Sequence, residues 1–502
     1  MPDAGHFAAV DLGSSSFHVV VGRMENGHLH VVDRIRERVG LAAGLDAENR
    51  LDGPTADRAL ACIARFGERL AELPGSAIRA VGTNTLRRAK NSAEFLQAAE
   101  QALGHRIELI SGQEEARLIY LGVSRSVPQY PRRRIVVDIG GSSTELILGQ
   151  GARPIERDSV QMGHLRWAVK YFGEGRFTEE AFEEARTRAR LELGSLKRRY
   201  RTLGWEVAYG SSGTARAIEA IGREAGWSED GITPRSLAQL EEELLDAGTV
   251  GELRERALPG LSYDRATSIA GGVAILSAVF ETLKIEEMVA SQGALREGVL
   301  HDLIGRMHDD DARDVTIANF RDRYSIDRQH AARVEKTTLT LFHQVADPWA
   351  LHRLDGQRFL SWACQLHEVG LSVNHSGYHK HGAYLIRNAD MPGFSRADQA
   401  LLAAVVRCHR RKLLPERVAL HLGPSQVETA LRFTILLRIA ARLHRTRSSK
   451  TLPPIEMTVS GDGTEIGLRF PRGWLAEHPL KRADLLDEAS LLPAVGYSLE
   501  LT

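Results

Sequence analysis

The stretch Val10-Asp11-Leu12-Gly13-Ser14-Ser15-Ser16 returns later in the chain as Val137-Asp138-Ile139-Gly140-Gly141-Ser142-Ser143-Thr144. Each copy follows one apolar run, Phe7 to Leu12 or Ile135 to Ile139, and precedes a second, Phe17 to Val21 or Leu146 to Leu148. A glycine turn, Asn26-Gly27 or Gln150-Gly151, then leads into a third extended run. Two strand–turn–strand units with one loop chemistry predict a duplicated domain. The loop glycines let backbone approach a phosphate, and the amides that follow form an anion nest. Asp11 and Asp138, each at a strand end, add a carboxylate that can hold a cation. Either loop alone reads as a turn in which Asp bonds its own backbone. The matched pair predicts two loops facing each other across a phosphate cleft.

The segments after each loop fit an α/β domain. Leu60, Ile63, Phe66, Leu70 and Leu73 mark one helix face, Ala77 to Val81 a strand, Ala93 to Leu103 a helix and Arg106 to Ile110 a strand. The order βββαβαβα then begins again near Arg133, with helical patterns at 178–202, 236–245 and 263–283. Short strands at Glu206 to Tyr209 and Met288 to Ala290 alternate with them. Asp309-Asp310-Asp311 reads as a solvated charge run at a domain junction. Residues 311–445 are dense in Leu, Ala, Arg and His at helical spacing. The end reads as a hairpin, Ile455 to Val459 and Glu465 to Phe470, around Gly461-Asp462-Gly463. The expected domains are a first lobe over 1–120, a second over 121–303, and a helical region over 304–502 ending in a small α+β segment.

Charge and cysteine content narrow the partners and the compartment. The 502 residues carry 65 Lys and Arg against 65 Asp and Glu. Bulk charge therefore gives no case for nucleic acid or a membrane surface. Cys62, Cys364 and Cys408 are far apart and form no CxxC, which argues against a disulfide scaffold or zinc ribbon and for a reducing cytosol. The N-terminal stretch has no basic n-region before its first apolar run, and no run approaches the ~18 apolar residues of a span. A cytoplasmic protein is expected, with peripheral membrane association left open.

Five further motifs bear on the chemistry. In Ser111-Gly112-Gln113-Glu114-Glu115-Ala116-Arg117, Ser111 and Glu114 have capping-box spacing, so a helix starts here with Glu114 bonding back to its cap. Glu115 is the spare carboxylate at the positive helix end, where the dipole keeps it ionised and fit to polarise water. Gly210-Ser211-Ser212-Gly213-Thr214, after a strand, is either a connecting turn or a phosphate seat at a helix start. Arg296 and Glu297 form a structural pair or brace the cleft. The clusters Arg132-Arg133-Arg134, Lys197-Arg198-Arg199 and Arg410-Arg411-Lys412 read as solvated surface unless a long polyanion tracks along them. Leu366-His367-Glu368-Val369-Gly370, His375, His379, His381 and His409 raise a metal reading.

Together, Asp11 to Ser16, Gly82-Thr83-Asn84-Thr85-Leu86-Arg87, Ser111 to Arg117, Asp138-Ile139-Gly140-Gly141-Ser142-Ser143-Thr144-Glu145 and Leu295-Arg296-Glu297-Gly298 resemble the exopolyphosphatase / guanosine pentaphosphate phosphohydrolase family. The motifs run in order over essentially the whole chain. The resemblance implies duplicated actin-like (ribonuclease H-like) lobes. It also implies Mg²⁺-dependent removal of the terminal phosphate from inorganic polyphosphate or guanosine pentaphosphate. The family's catalytic glutamate falls on Glu115 and its phosphate loops on Asp11–Ser16 and Asp138–Thr144, with Glu145 beside the second. The C-terminal region is similar to HD phosphohydrolases but departs from a working metal site. The doublet is His367-Glu368, the first histidine is absent near Thr337 or Thr338, and Ala441 stands where an aspartate is wanted. That leaves the region to bind or guide substrate. Asn374 to His381 and Cys408 to Lys412 look more like the polyphosphatase branch.

The resulting expectation is a cytosolic exopolyphosphatase. Glu115 activates water, and Gly13, Ser14, Ser15, Gly140, Gly141, Ser142, Ser143, Thr144 and Arg87 hold phosphate. Mg²⁺ lies near Asp138, Glu145 and Asp11, and Arg410, Arg411 and Lys412 line a polyphosphate channel completed by a two-fold dimer. Guanosine pentaphosphate hydrolysis is the nearest alternative. A kinase of the same superfamily and a non-catalytic polyphosphate or nucleotide sensor remain beside it.

Overall fold

The computed structural model describes residues 5–25, 28–127, 132–307, 311–351 and 355–502, and the chain divides into two compact units between Asp311 and Ala312. The expected Asn26-Gly27 turn and residues Asp309 and Asp310 lie outside the described residues. Asp311 is buried, so at that position the expected solvated charge run does not hold.

The first unit contains two five-stranded sheets with one topology. Strands β1 (His6–Leu12), β2 (Ser16–Glu25), β3 (His28–Arg38), β4 (Ile78–Gly82) and β5 (Ile107–Leu109) run in the order β3-β2-β1-β4-β5. Strands β6 (Arg133–Ile139), β7 (Thr144–Gln150), β8 (Arg153–Val160), β9 (Val207–Ser211) and β10 (Val289–Ala290) repeat it as β8-β7-β6-β9-β10. In each, two antiparallel hairpins are extended by parallel strands reached through helices. The duplication read from two loops is thus a duplication of whole sheets. The helix Gly53–Leu70 shows how sequence sets a crossover. Asp52 accepts the Thr55 N–H at 2.7 Å, Pro54 fills the first turn, and Ala59, Cys62, Ile63, Phe66 and Leu70 form the buried stripe.

The helix Leu295–Met307, which the sequence boundary at 303 assigns to the second lobe, packs on the first. Its Leu295, Val299, Leu300, Leu303 and Ile304 share a core with Phe7, Ala9, Val81 and the helix Gly112–Ser126. Glycines set this close crossing: a Cβ on Gly298 would stand 1.8 Å from the Leu118 carbonyl oxygen. The same contact buries a charge cluster. Asp302 binds Arg79 at 2.6 Å and Arg306 at 2.9 Å, and also pairs with Arg117. Arg134 too is buried, so the Arg132–Arg134 run is only partly a surface.

The second unit is helical around one core, with its main helices at Ala312–Arg323, Arg328–Val345, Gly356–Leu366, Tyr378–Asn388, Arg396–Cys408 and Pro424–Leu443. The expected hairpin is present as β11 (Glu456–Val459) and β12 (Glu465–Arg469). A third strand, β13 (Ser498–Leu501), adds parallel to β12 after the helix Pro479–Ala489. Arg438 is fully buried on Glu488 and donates to the Cys408 and Arg411 carbonyls at 2.6 and 2.9 Å.

Candidate active site

Because β1 and β6 hold equivalent central positions, their ends bring Asp11 and Asp138 to one cleft of about 500 Å³. The loops do face each other. Ser14 Oγ and Ser142 Oγ are hydrogen-bonded at 2.8 Å, Thr85 Oγ1 donates to Ser14 Oγ at 2.8 Å, and Asn84 Nδ2 donates to Ser142 Oγ at 3.0 Å. Gly13, Ser14, Ser15, Gly140, Gly141 and Ser143 line the cleft. Two expected phosphate ligands are used elsewhere: Ser142 is tied to Ser14 and lies behind the lining, and the Thr144 hydroxyl donates to the Met162 carbonyl at 2.6 Å.

The floor is acidic. Asp11, Glu115, Asp138 and Glu145 all line it. Sheet register explains the pair Asp138 and Glu145, which stand directly opposite on β6 and β7; the equivalent partner of Asp11 is His18. Like charges placed so are destabilising unless something offsets them. Burial first, then the neighbouring Glu115, pushes Asp11 up to about 7 and Asp138 up to about 6. Burial and the charges of Glu115 and Asp138 raise Glu145 well above the carboxylate range. Asp11 Oδ1 is buried without a hydrogen-bond partner. Four carboxylates with one orphaned oxygen form a donor set suited to a hard divalent cation.

Glu115 enters this floor from the first turn of the helix Gly112–Ser126. Ser111 Oγ caps it, accepting the Glu114 N–H at 3.1 Å. The Glu114 carboxylate accepts both Nε and Nη2 of Arg117 at 2.8 Å, so the ion pair with Arg117 takes up the group expected to bond back to the cap. Glu115 is the carboxylate left facing the cleft. Arg87, expected on phosphate, donates to Glu115 Oε2 and to the Ile110 carbonyl, both at 2.8 Å, and stands outside the lining. It holds Glu115 in place, because the short helix Asn84–Arg88 aims it at the start of the helix Gly112–Ser126.

The other wall is basic, and the sequence reading missed most of it. Arg34, Arg36, Arg38, Arg216, Arg265 and Arg296 line the cleft with His18 and His164. The first three alternate along β3, so they share one sheet face; the pattern Arg34-Ile35-Arg36-Glu37-Arg38 was a visible signal. Arg216 follows Gly210–Thr214, where β9 passes directly into the helix Ser212–Glu224, and Ser212, Gly213 and Thr214 line the cleft. Ser212 there has φ 81°, and a Cβ on Gly213 would stand 2.2 Å from Arg265 Nη2. Burial and the neighbouring Arg36, Arg216 and Arg38 lower Arg265 to about 10. Burial together with nearby arginines lowers His18 and His164 to about 3. Arg296 lines the cleft and donates to Glu297 Oε1 at 3.0 Å, so the pair is structural and part of the cleft wall at once.

In the second unit, the Arg410 guanidinium lies over the Tyr378 ring, 4.4 Å from its centroid, and Arg411 and Lys412 are exposed. The histidines differ from the sequence expectation. Thr338 is buried and bonded to the Val334 carbonyl, and Thr337 bonds His444. It is His330, two turns earlier on the same helix, that reaches His367 and Glu368.

The two lobes of like topology define an actin-like fold. The chain belongs to the Ppx/GppA phosphatase family: the family model matches residues 20–307 and its domain III model residues 312–489. It is 40% identical to the guanosine-5'-triphosphate,3'-diphosphate pyrophosphatase of Aeromonas hydrophila, over 99% of this chain and 98% of that one. It is 36% identical, with the same coverage, to the protein of that name from Pseudoalteromonas translucida. Among solved structures, an exopolyphosphatase from Cytophaga hutchinsonii aligns with TM-score 0.54 at 23% identity, over 60% of this chain and 98% of that one. The Aquifex aeolicus family member aligns with TM-score 0.52 at 23% identity, over 61% and 98%. These two bear on the fold. Among the described residues no helix is long and apolar enough to cross a membrane.

Proposed function

We propose that the protein removes the terminal 5'-phosphate of guanosine pentaphosphate, releasing inorganic phosphate and guanosine tetraphosphate. The observation that carries hydrolysis is Glu115, held by Arg87 and presented to a carboxylate floor between two phosphate loops. The substrate choice, which replaces polyphosphate as the first reading, is supported by the activity named for the relatives matched over the full length. Asp11, Asp138 and Glu145 would hold Mg²⁺, which offsets charge on the phosphate. Glu115 orients a water and takes its proton as the water oxygen bonds to the terminal phosphorus. The bond to the bridging oxygen breaks, and the leaving charge stays on the nucleotide. Backbone amides of the loops at Gly13–Ser15 and at Gly141 steady the equatorial oxygens, and the arginine wall takes the remaining phosphates.

One observation keeps exopolyphosphatase as a second reading: among the described residues the lining has no Phe, Tyr or Trp on which a base could stack. Phosphate release from the two substrates separates the readings. We expect kcat/KM for guanosine pentaphosphate to exceed that for long polyphosphate, per chain end, by at least about tenfold, a difference of ~1.4 kcal/mol. The reverse preference selects the second reading, and release from neither rejects both.

Metal dependence gives a further check. Asp138→Asn should raise the Mg²⁺ concentration for half-maximal activity ~10-fold or more, the scale on which even outer partners of ligands act. Protons compete at Asp11 and Asp138, so in wild type that concentration should rise as pH falls from about 8 to 6. The stability sign runs the other way. A carboxyl raised by folding favours the fold at low pH, and that contribution is lost as pH rises through about 6 to 7. Without divalent cation the first unit should therefore melt lower at pH 8 than at pH 5, and Mg²⁺ should narrow the gap. A Mg²⁺ requirement unchanged by Asp138→Asn moves the cation off this floor.

A further inference from the structure

The helical unit brings together five histidines that the cleft chemistry does not use. His330 comes from the first turn of the helix Arg328–Val345, His367 and Glu368 from the end of the helix Gly356–Leu366, and His409 from the end of the helix Arg396–Cys408. His379 and His444 are buried nearby. One ligand atom from each of His330, His367 and Glu368 lies within 4.8 Å of the other two, and no other trio of His, Cys, Asp or Glu among the described residues does so. All three side chains are at least nine-tenths buried.

Two further features fit these groups to a metal. His367 Nδ1 lies 2.6 Å from the Cys364 carbonyl oxygen and so carries its proton there, which leaves Nε2 as a lone-pair donor. His330 turns its Nε2 toward the Glu368 carboxylate, 3.8 Å from Oε1, too far for a hydrogen bond. Glu368 is steadied by Arg447 Nη2, 2.6 Å from that same oxygen.

We infer that His330, His367 and Glu368 form a binding site for one divalent transition-metal ion, distinct from the phosphate cleft. Two imidazoles and one carboxylate favour Zn²⁺ and its first-row neighbours over Mg²⁺, which prefers oxygen ligands. Three protein ligands leave at least one position for water or an exogenous group. His409, with its ring 5.4 Å from that of His367, and Tyr378, with its hydroxyl 3.4 Å from His409 Nε2, are the polar side chains beside it. The site draws on no residue of the first unit.

The test uses the full-length, untagged chain, stripped with a chelator and dialysed free of it. Co²⁺ serves as the probe, because its visible bands report coordination while it takes zinc geometry. We expect one Co²⁺ per chain, undisturbed by a large excess of Mg²⁺, with a raised melting temperature for the second unit. His330→Ala and Glu368→Gln should each weaken binding at least ~10-fold. Exposed His375→Ala should leave it unchanged. Two variants and the wild-type melting shift guard against a single substitution that fails to fold. Sub-stoichiometric Co²⁺, displacement by Mg²⁺, or binding indifferent to both His330→Ala and Glu368→Gln would overturn the inference.

Discussion

Glu115→Gln is expected to lower kcat by about 10²–10⁴-fold with little change in KM, the usual cost of losing a general base. The amide keeps the shape of the side chain and can still accept from Arg87 Nη1, so the helix start and the loops should stay in place. It cannot accept the proton of the attacking water. Substrate binding rests on the loops and the arginine wall, which the substitution does not touch. Steady-state phosphate release and equilibrium substrate binding decide the outcome. A kcat near wild type would reject Glu115 as the base. Glu114→Gln provides the contrast: its carboxylate faces Arg117, so its loss should act on stability before turnover.

Asp302→Ala should destabilise the first unit by about 3–5 kcal/mol, because removing one partner from a buried ion cluster strands the others. Arg79, Arg117 and Arg306 converge on this carboxylate, and Arg79 and Asp302 are almost wholly buried. Burial alone would raise Asp302, but the charges of Arg117, Arg79 and Arg306 overcome it and hold the group well below the usual carboxylate range. The contribution of a depressed carboxyl is complete above its unfolded value near 4 and is lost only below it. The loss should therefore be constant from about pH 5 to 8 and shrink in stronger acid. Denaturant titration of the first unit's transition measures it. A loss under about 1 kcal/mol would mean the cluster is solvated and not a brace between the helix Leu295–Met307 and the first sheet.

The duplication, the loops and the order of elements were legible from residues alone, because these are local. Asp-x-Gly, a capping serine and a two- or 3.6-residue apolar period each act over a few neighbours. That is why Asp11, Asp138, Ser111 and the helix face at Ile63, Phe66 and Leu70 were legible. The family followed from motifs in order, but the branch did not. Asn374 to His381 and Cys408 to Lys412 suggested the polyphosphatase branch, whereas the full-length relatives support the pentaphosphate reading.

The pairings between distant segments came from packing. Arg87 could have met phosphate or Glu115, Ser142 could have faced the cleft or Ser14, and Glu114 could have turned to its cap or to Arg117. Each choice depends on where another strand or helix ends, information no local pattern carries. The basic wall shows the same division: alternation along Arg34, Arg36 and Arg38 predicts a shared face, but only sheet order turns that face to the cleft beside Arg216 and Arg265. The histidines of the second unit are the sharpest case. Side chains from two helices and the turn after one of them can meet only when the bundle's packing fixes their rotation. Two turns along one helix separate Thr337, bonded to His444, from His330, which meets His367 and Glu368.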